Sequence, residues 1–167
     1  MGTSVIISVV ADERDAEQIL KLQYLCYQSE AELYDDYTIE PLTQSLADLT
    51  AELGRGHALV ARLGDEVVGS VRATVDEDGT AHIGKLVVHP RMRHHGLGGR
   101  LLAAIEAHVA ASLDAKRFRL FTGHRSEPNL SLYRSRGYAT VSKHQSTPKL
   151  TLITLEKEAE TYATSAP

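Results

Sequence analysis

The sequence predicts one α/β (α+β) domain, a mixed and mostly antiparallel central sheet flanked by about four helices. Three observations carry that expectation. Residues 57–63, 67–75 and 81–88 alternate apolar with other residues and are separated by short turn sequences, the pattern of an antiparallel meander. Leu97, Leu101, Ile105 and Val109 then fall four apart on one face of a helix, directly after a strand and a glycine-rich turn. The chain has 167 residues, 43% hydrophobic and 24% charged, which suits a single domain large enough to bury a core.

In chain order, Ile6 to Val10 is an apolar run expected to form the first strand. Asp12 or Asp15 can cap the helix that follows, whose pattern is Ala16, Ile19, Leu20, Leu22, Gln23 and Cys26. Glu30 to Pro41 is acidic and aromatic without clear periodicity, mixing Glu30, Glu32, Asp35, Asp36 and Glu40 with Tyr34 and Tyr37. Ser45 to Leu53 reads as a short helix ended by Gly54. The meander has turns at Gly64-Asp65 and at Asp76 to Gly79, and the long helix after it runs to about Leu113. Arg117 to Thr122 is the next strand. Ser126 is placed to cap a helix from Glu127 to Arg136, with Pro128 in its first turn and Gly137 as its stop. Tyr138 to Val141 and Leu150 to Leu155 close the sheet. The folded core is expected over about 5–155 within a single domain 1–167, with the polar stretch 156–167 as a flexible tail.

Composition excludes several classes. A net charge of −4 argues against broad nucleic-acid binding, and no apolar run approaches the length of a membrane helix. Val5 to Val10 has no basic residue before it, so it reads as a strand and not a leader. One cysteine rules out an internal disulfide and, with no leader, fits a cytoplasmic, reducing setting. Cys26 sits in an apolar helical pattern, where a packed thiol is the simpler reading than a nucleophile. His89, His94 and His95 lack the helical pairing or carboxylate–cysteine set of a zinc site, so no metal is expected.

The informative stretch is Leu86-Val87-Val88-His89-Pro90-Arg91-Met92-Arg93-His94-His95-Gly96-Leu97-Gly98-Gly99-Arg100. A strand runs into a basic, glycine-rich turn and then a helix start, whose unpaired N–H groups and dipole suit a phosphate. It is neither a P-loop, because Arg100-Leu101 follows Gly99, nor a dinucleotide fingerprint, because Leu101 stands where the third glycine belongs. A second stretch reads Asn129-x-x-x-Tyr133-x-x-x-Gly137-Tyr138, with Asn129 and Tyr133 on one helix face.

Arg93-x-x-Gly96-x-Gly98 after a strand, followed by the Asn129/Tyr133 motif, resembles the GNAT superfamily of acyl-CoA-dependent N-acyltransferases. The order of elements resembles that fold from about Val5 to Leu155. The resemblance implies acetyl-CoA as co-substrate, its pyrophosphate held at Arg93, His94, His95, Gly96, Leu97, Gly98 and Gly99. It implies backbone N–H groups at Leu86, Val87 and Val88 near the thioester, Asn129 on the pantetheine arm, and Tyr133 as the proton donor to the leaving thiolate. Without that resemblance Tyr133 would read as a core tyrosine. Arg134 and Arg136 stand either near the 3′-phosphate of CoA or on a solvated face.

The base is less defined. By alternation His82 shares a face with Gly84, Leu86 and Val88, and a histidine at that strand position serves some arylalkylamine-acetylating relatives; an exposed histidine without catalytic duty fits equally. His124 lies on the same side of the sheet as the expected site. Glu30, Tyr34 and Asp35 are the candidate acceptor-binding residues, against the plainer reading of a solvated acidic loop. The expected activity is direct acetyl transfer to a primary amine of a small, cationic molecule. The alternatives are a peptide or protein acetyltransferase and a non-catalytic acyl-CoA-binding module. Such enzymes commonly pair, which leaves a homodimer open.

Overall fold

The computed structural model describes residues 4–159. Its elements in chain order are β1 Val5–Val9, α1 Glu13–Cys26, α2 Gln28–Tyr34, α3 Glu40–Thr43, α4 Leu46–Arg55, β2 His57–Leu63, β3 Glu66–Val75 and β4 Thr80–Val88. There follow a 3-10 turn at Pro90–Met92, α5 Leu97–Leu113, β5 Arg117–Gly123, α6 Glu127–Ser135, β6 Ala139–Thr147 and β7 Leu150–Glu158. The strands form one seven-stranded sheet in the order β1-β2-β3-β4-β5-β7-β6. Among the described residues its only parallel pair is β4 with β5, joined by α5 as the crossover.

Helices cover both faces of the β2–β4 region. On one side α5 buries Leu101, Leu102, Ile105 and Val109 completely against Val68, Val71, Ala81 and Phe118. Burying such a side chain contributes roughly 2 kcal/mol. On the other, Ile19 and Leu22 of α1 and Leu49 of α4 pack on Val60, Val67 and Val87. Strand β3 is therefore buried from Val67 to Ala73, including a charged residue, Arg72. Arg72 is satisfied by Glu52 of α4 and by Gln23 of α1 at 3.1 Å. Asp12 is the residue that caps α1, accepting from the N–H groups of Arg14 and Asp15.

Three expectations need correction. The acidic stretch is not a loop: it holds α2 and the single turn α3, with Ala31 and Tyr34 buried. Strand β6 continues past Val141 to Thr147 as an exposed edge, and β7 runs through Glu156 to Glu158, residues expected to lie in the tail. The rest of that expected tail, 160–167, lies outside the described residues. The third correction concerns β4. Between Ser70 and Arg72 of β3 the partner residue moves from Val87 to Gly84, so β4 carries one extra residue, and Lys85 sits there with φ +52°. This bulge reverses the alternation. Leu86 and Val88 pack toward the α5 side, whereas His82 and Gly84 lie on the opposite face, so His82 does not share a face with them.

Candidate active site

The bulge positions the site. Pairing between β4 and β5 is confined to Thr80–Arg117, Ala81–Phe118 and His82–Arg119; beyond it the strands part. The gap that opens has β4's free edge on one side. His89 donates its N–H to the Val68 carbonyl at 2.8 Å, and Val87 stands opposite Ser70 two residues earlier in the same ladder. The amides of the residues on either side of Val87, Leu86 and Val88, therefore turn away from β3 into the gap, and that of Val87 does not. The Val88 carbonyl accepts from the Cys26 thiol at 3.3 Å. Burial raises that thiol to about 11, so at neutral pH Cys26 is a packed thiol and not a thiolate.

Past the gap the chain turns through Pro90–Met92 and enters α5. His94 (φ +69°) and Gly96 (φ +74°) make the left-handed steps; Gly96 is the N-cap, and no side chain caps the helix. The first turn amides of a 17-residue helix are thus left open. Gly98 and Gly99 keep side chains away from them. At Gly99 an added Cβ would collide with the Arg136 guanidinium, so α6 delivers a cation onto the start of α5. Arg93, His94 and His95 are exposed around the same turn, and the Arg93 charge is felt at Cys26. Arg91 is occupied by Glu66.

The far wall of the gap is the end of β5 with α6. Asn129 donates to Thr122 at 3.2 Å, which ties the two together. Tyr133 is 6% exposed, packs its ring 6.1 Å from Tyr138, and makes no hydrogen bond through its hydroxyl among the described residues. Burial first, and then the charge of Glu30, push it up to about 12. It stays protonated at neutral pH and can donate. Tyr27, between α1 and α2, is likewise raised by burial and by the nearby Tyr133.

Helix α2 closes the site from above. Glu30 is half-buried, accepts from Ser126, and is raised from the ordinary glutamate value by desolvation. Tyr34 is buried against the end of β5, bonded to Ser126 at 2.8 Å. Asp35 ends α2 at φ +50° and pairs with Lys149 at 2.5 Å on the outer surface. An open cleft of about 780 Å³ runs there, lined by Glu32, Tyr34, Asp35, His124, Arg125 and Lys149.

The structure therefore gathers Leu86, Val88, Asn129, Tyr133 and Glu30 around one gap. It does not bring His82 there: that side chain is 43% exposed and bonds Asp76 at 2.8 Å beside the β3–β4 turn. His124 lines the cleft, but its Nδ1 accepts from the Thr151 N–H at 3.0 Å. The neutral ring then carries its proton on Nε2 and presents a donor to the cleft, not a base. Sequence reasoning did not find Tyr27, the Ser126 hydroxyl or the bulge. Gly84 within a strand pattern was the available signal for the last. Among the described residues no cluster of three His, Cys, Asp or Glu is placed to hold a metal ion, and no helix is long and apolar enough to cross a membrane.

Comparison with known proteins places this arrangement. Several solved structures share the fold. Ribosomal-protein-S18-alanine N-acetyltransferase from Escherichia coli superposes with TM-score 0.76 at 14% identity, over 93% of this chain and 94% of that one. An N-acetyltransferase from Staphylococcus aureus gives 0.73 at 13% identity over 94% and 99%. An IAA acetyltransferase from Bacillus cereus gives 0.67 at 21% identity over 93% and 99%. A search of curated proteins returns no match. The profile of the acetyltransferase (GNAT) family matches residues 17–138, from α1 through the Tyr133 motif. The chain belongs to the acetyltransferase (GNAT) family, and transfer of an acyl group from acyl-CoA is the chemistry that membership carries.

Proposed function

We propose that the protein is an acetyl-CoA-dependent N-acetyltransferase that moves the acetyl group directly onto a primary amine of a small, cationic molecule. One observation carries this reading: the β4–β5 gap runs from an uncapped, glycine-lined helix start to a buried tyrosine hydroxyl with no hydrogen-bond partner among the described residues. The donor substrate fits that gap. Its phosphates meet the open α5 amides with Arg93 and Arg136 beside them, which is how helix starts and guanidinium groups hold anions. The Leu86 and Val88 amides face the gap, where an oxyanion develops on the thioester carbonyl. Tyr133 supplies the proton to the departing thiolate.

The acceptor enters beneath α2, whose Glu30 and Glu32 favour a cation, while Asp35 is already paired with Lys149. A peptide amine is the second reading, supported by the outward-open cleft between α2 and Lys149. A panel containing spermidine, lysine, tyramine and a short peptide, each incubated with acetyl-CoA and scored by free thiol release, tests the proposal. The expected result is thiol release with at least one small amine. Release with the peptide alone replaces the small-molecule reading. Binding of acetyl-CoA with no release from any amine marks a non-catalytic acyl-CoA-binding module.

A further inference from the structure

Ser126 breaks a local rule. It occupies the N-cap of α6, where a serine hydroxyl ordinarily accepts from free helix amides. Its side chain makes no such bond. It is instead 2% exposed, with Oγ 2.8 Å from the Tyr34 hydroxyl and 3.1 Å from each carboxylate oxygen of Glu30.

The proton positions follow from the donors present. The Arg125 main-chain N–H donates to the Tyr34 oxygen at 3.0 Å. That leaves the tyrosine proton for Ser126 and the serine proton for Glu30, which when ionised can only accept. The donors point one way, and the row ends on the carboxylate. Two further contacts keep it in place. An added Cβ at Gly123 would collide with the Tyr34 hydroxyl, so the close approach needs glycine. The Arg125 guanidinium donates to the Leu33 carbonyl at 3.1 Å and holds the end of α2 against the β5–α6 turn.

The groups facing Glu30 are the Ser126 hydroxyl and the phenols of Tyr27 and Tyr133, both of which feel its charge. Beyond Tyr27 lie the Cys26 thiol and the Arg72 guanidinium, the latter already held by Glu52 and Gln23. No Lys, Arg or His forms an ion pair with Glu30 among the described residues, whereas Asp15, Glu52, Glu106 and Glu156 each have a cation. A half-buried carboxylate, aimed by a row of donors and lacking a counter-ion, is a place for a substrate cation.

We infer that Glu30 receives the acceptor's ammonium and takes its proton, and that Tyr34 and Ser126 are positioning residues that hold Glu30 ionised and oriented. The inference rests on the acetyltransferase reading above. In the balanced step, R–NH3+ gives one proton to Glu30. The freed nitrogen lone pair forms the N–C bond at the thioester carbonyl, and the C–S bond breaks with its electron pair on sulfur. The thiolate takes the Tyr133 proton, the second nitrogen proton returns to the Tyr133 oxygen, and Glu30 releases its proton to water.

The test uses thiol release from acetyl-CoA with n-propylamine as the minimal acceptor, across pH. It is combined with acetyl-CoA titration calorimetry and a carbon-13 NMR titration in which the Glu30 carboxyl is the signal absent from Glu30→Gln. Glu30→Gln is expected to bind acetyl-CoA as the wild type does, to lose about 100-fold in kcat/KM and to lose the acid limb of its profile. Ser126→Ala removes the bond to the charged carboxylate and Tyr34→Phe removes the hydroxyl that orients Ser126, so both move that limb and the Glu30 titration to higher pH. A merely structural role would lower the rate without moving either. A wild-type profile in Glu30→Gln, or an unmoved limb and carbon signal in Ser126→Ala, overturns the inference while the transferase reading stands. If wild type releases no thiol with n-propylamine or with any panel amine, the transferase reading fails, and the base assignment with it.

Discussion

Asp15 illustrates how much one side chain holds. It is 3% exposed, accepts from both terminal nitrogens of Arg62 on β2 at 2.7 and 2.5 Å, and reaches back to the Ala11 N–H at 2.7 Å. The Arg62 bonds hold its carboxyl below the ordinary value of 3.8 despite desolvation. Because the folded value is depressed, the stability it contributes is complete above 3.8 and is lost as pH falls through the folded value. Asp15→Asn leaves Arg62 without its partner and is expected to cost about 3 kcal/mol at pH 7. Thermal melts from pH 7 to pH 2 should show the difference from wild type shrinking on the acid side; a constant difference would contradict the account. The sequence showed that Asp12 and Asp15 stood at a helix start but not which one capped it. Tyr34 is the opposite case: its position in an acidic stretch suggested only substrate contact, and the fold makes it a largely buried wall of the cleft, packed at Gly123 and bonded to Ser126. Contacts made across so long a stretch of chain leave no trace in local spacing.

At the scale of elements, the turn into α5 was the most legible part of the molecule, because glycine, a strand and a four-residue apolar repeat each announce themselves locally. The arginine that α6 contributes to the same place was legible only as one of two open readings, since nothing local says that Arg136 lies on Gly99. If the α5 start binds the donor's phosphates, Arg93→Ala and Arg136→Ala should each weaken acetyl-CoA binding by roughly tenfold, the worth of one charge-assisted bond. Calorimetry checks this, and wild-type affinity should fall with added salt because both cations are exposed. Unchanged affinity in both variants would remove the phosphates from this turn. The β4 bulge was missed because strict alternation was assumed through Gly84-Lys85. One extra residue there changed the face on which every later β4 side chain falls, and with it the reading of His82.

Across the whole molecule, the order of strands and helices followed from period and turn residues. The order of strands in the sheet did not, because β7 inserts between β5 and β6 and only long-range pairing decides that. The gap is a property of the assembled sheet. The β1–β4 part supplies the Leu86 and Val88 amides and the entry to α5. The β5–β7–β6 part carries the end of β5 against which α6 holds Tyr133, and α2 docks on the β5–α6 turn through Glu30 and Tyr34. The central claim is that these parts meet to move a proton onto a departing thiolate, and Tyr133→Phe tests it most directly. The ring and its packing remain, and only a hydroxyl with no hydrogen-bond partner among the described residues is lost. Acetyl-CoA affinity by calorimetry should be unchanged while kcat for the best amine of the panel falls about 100-fold. Equal kcat in wild type and Tyr133→Phe, with equal affinity, would contradict the account.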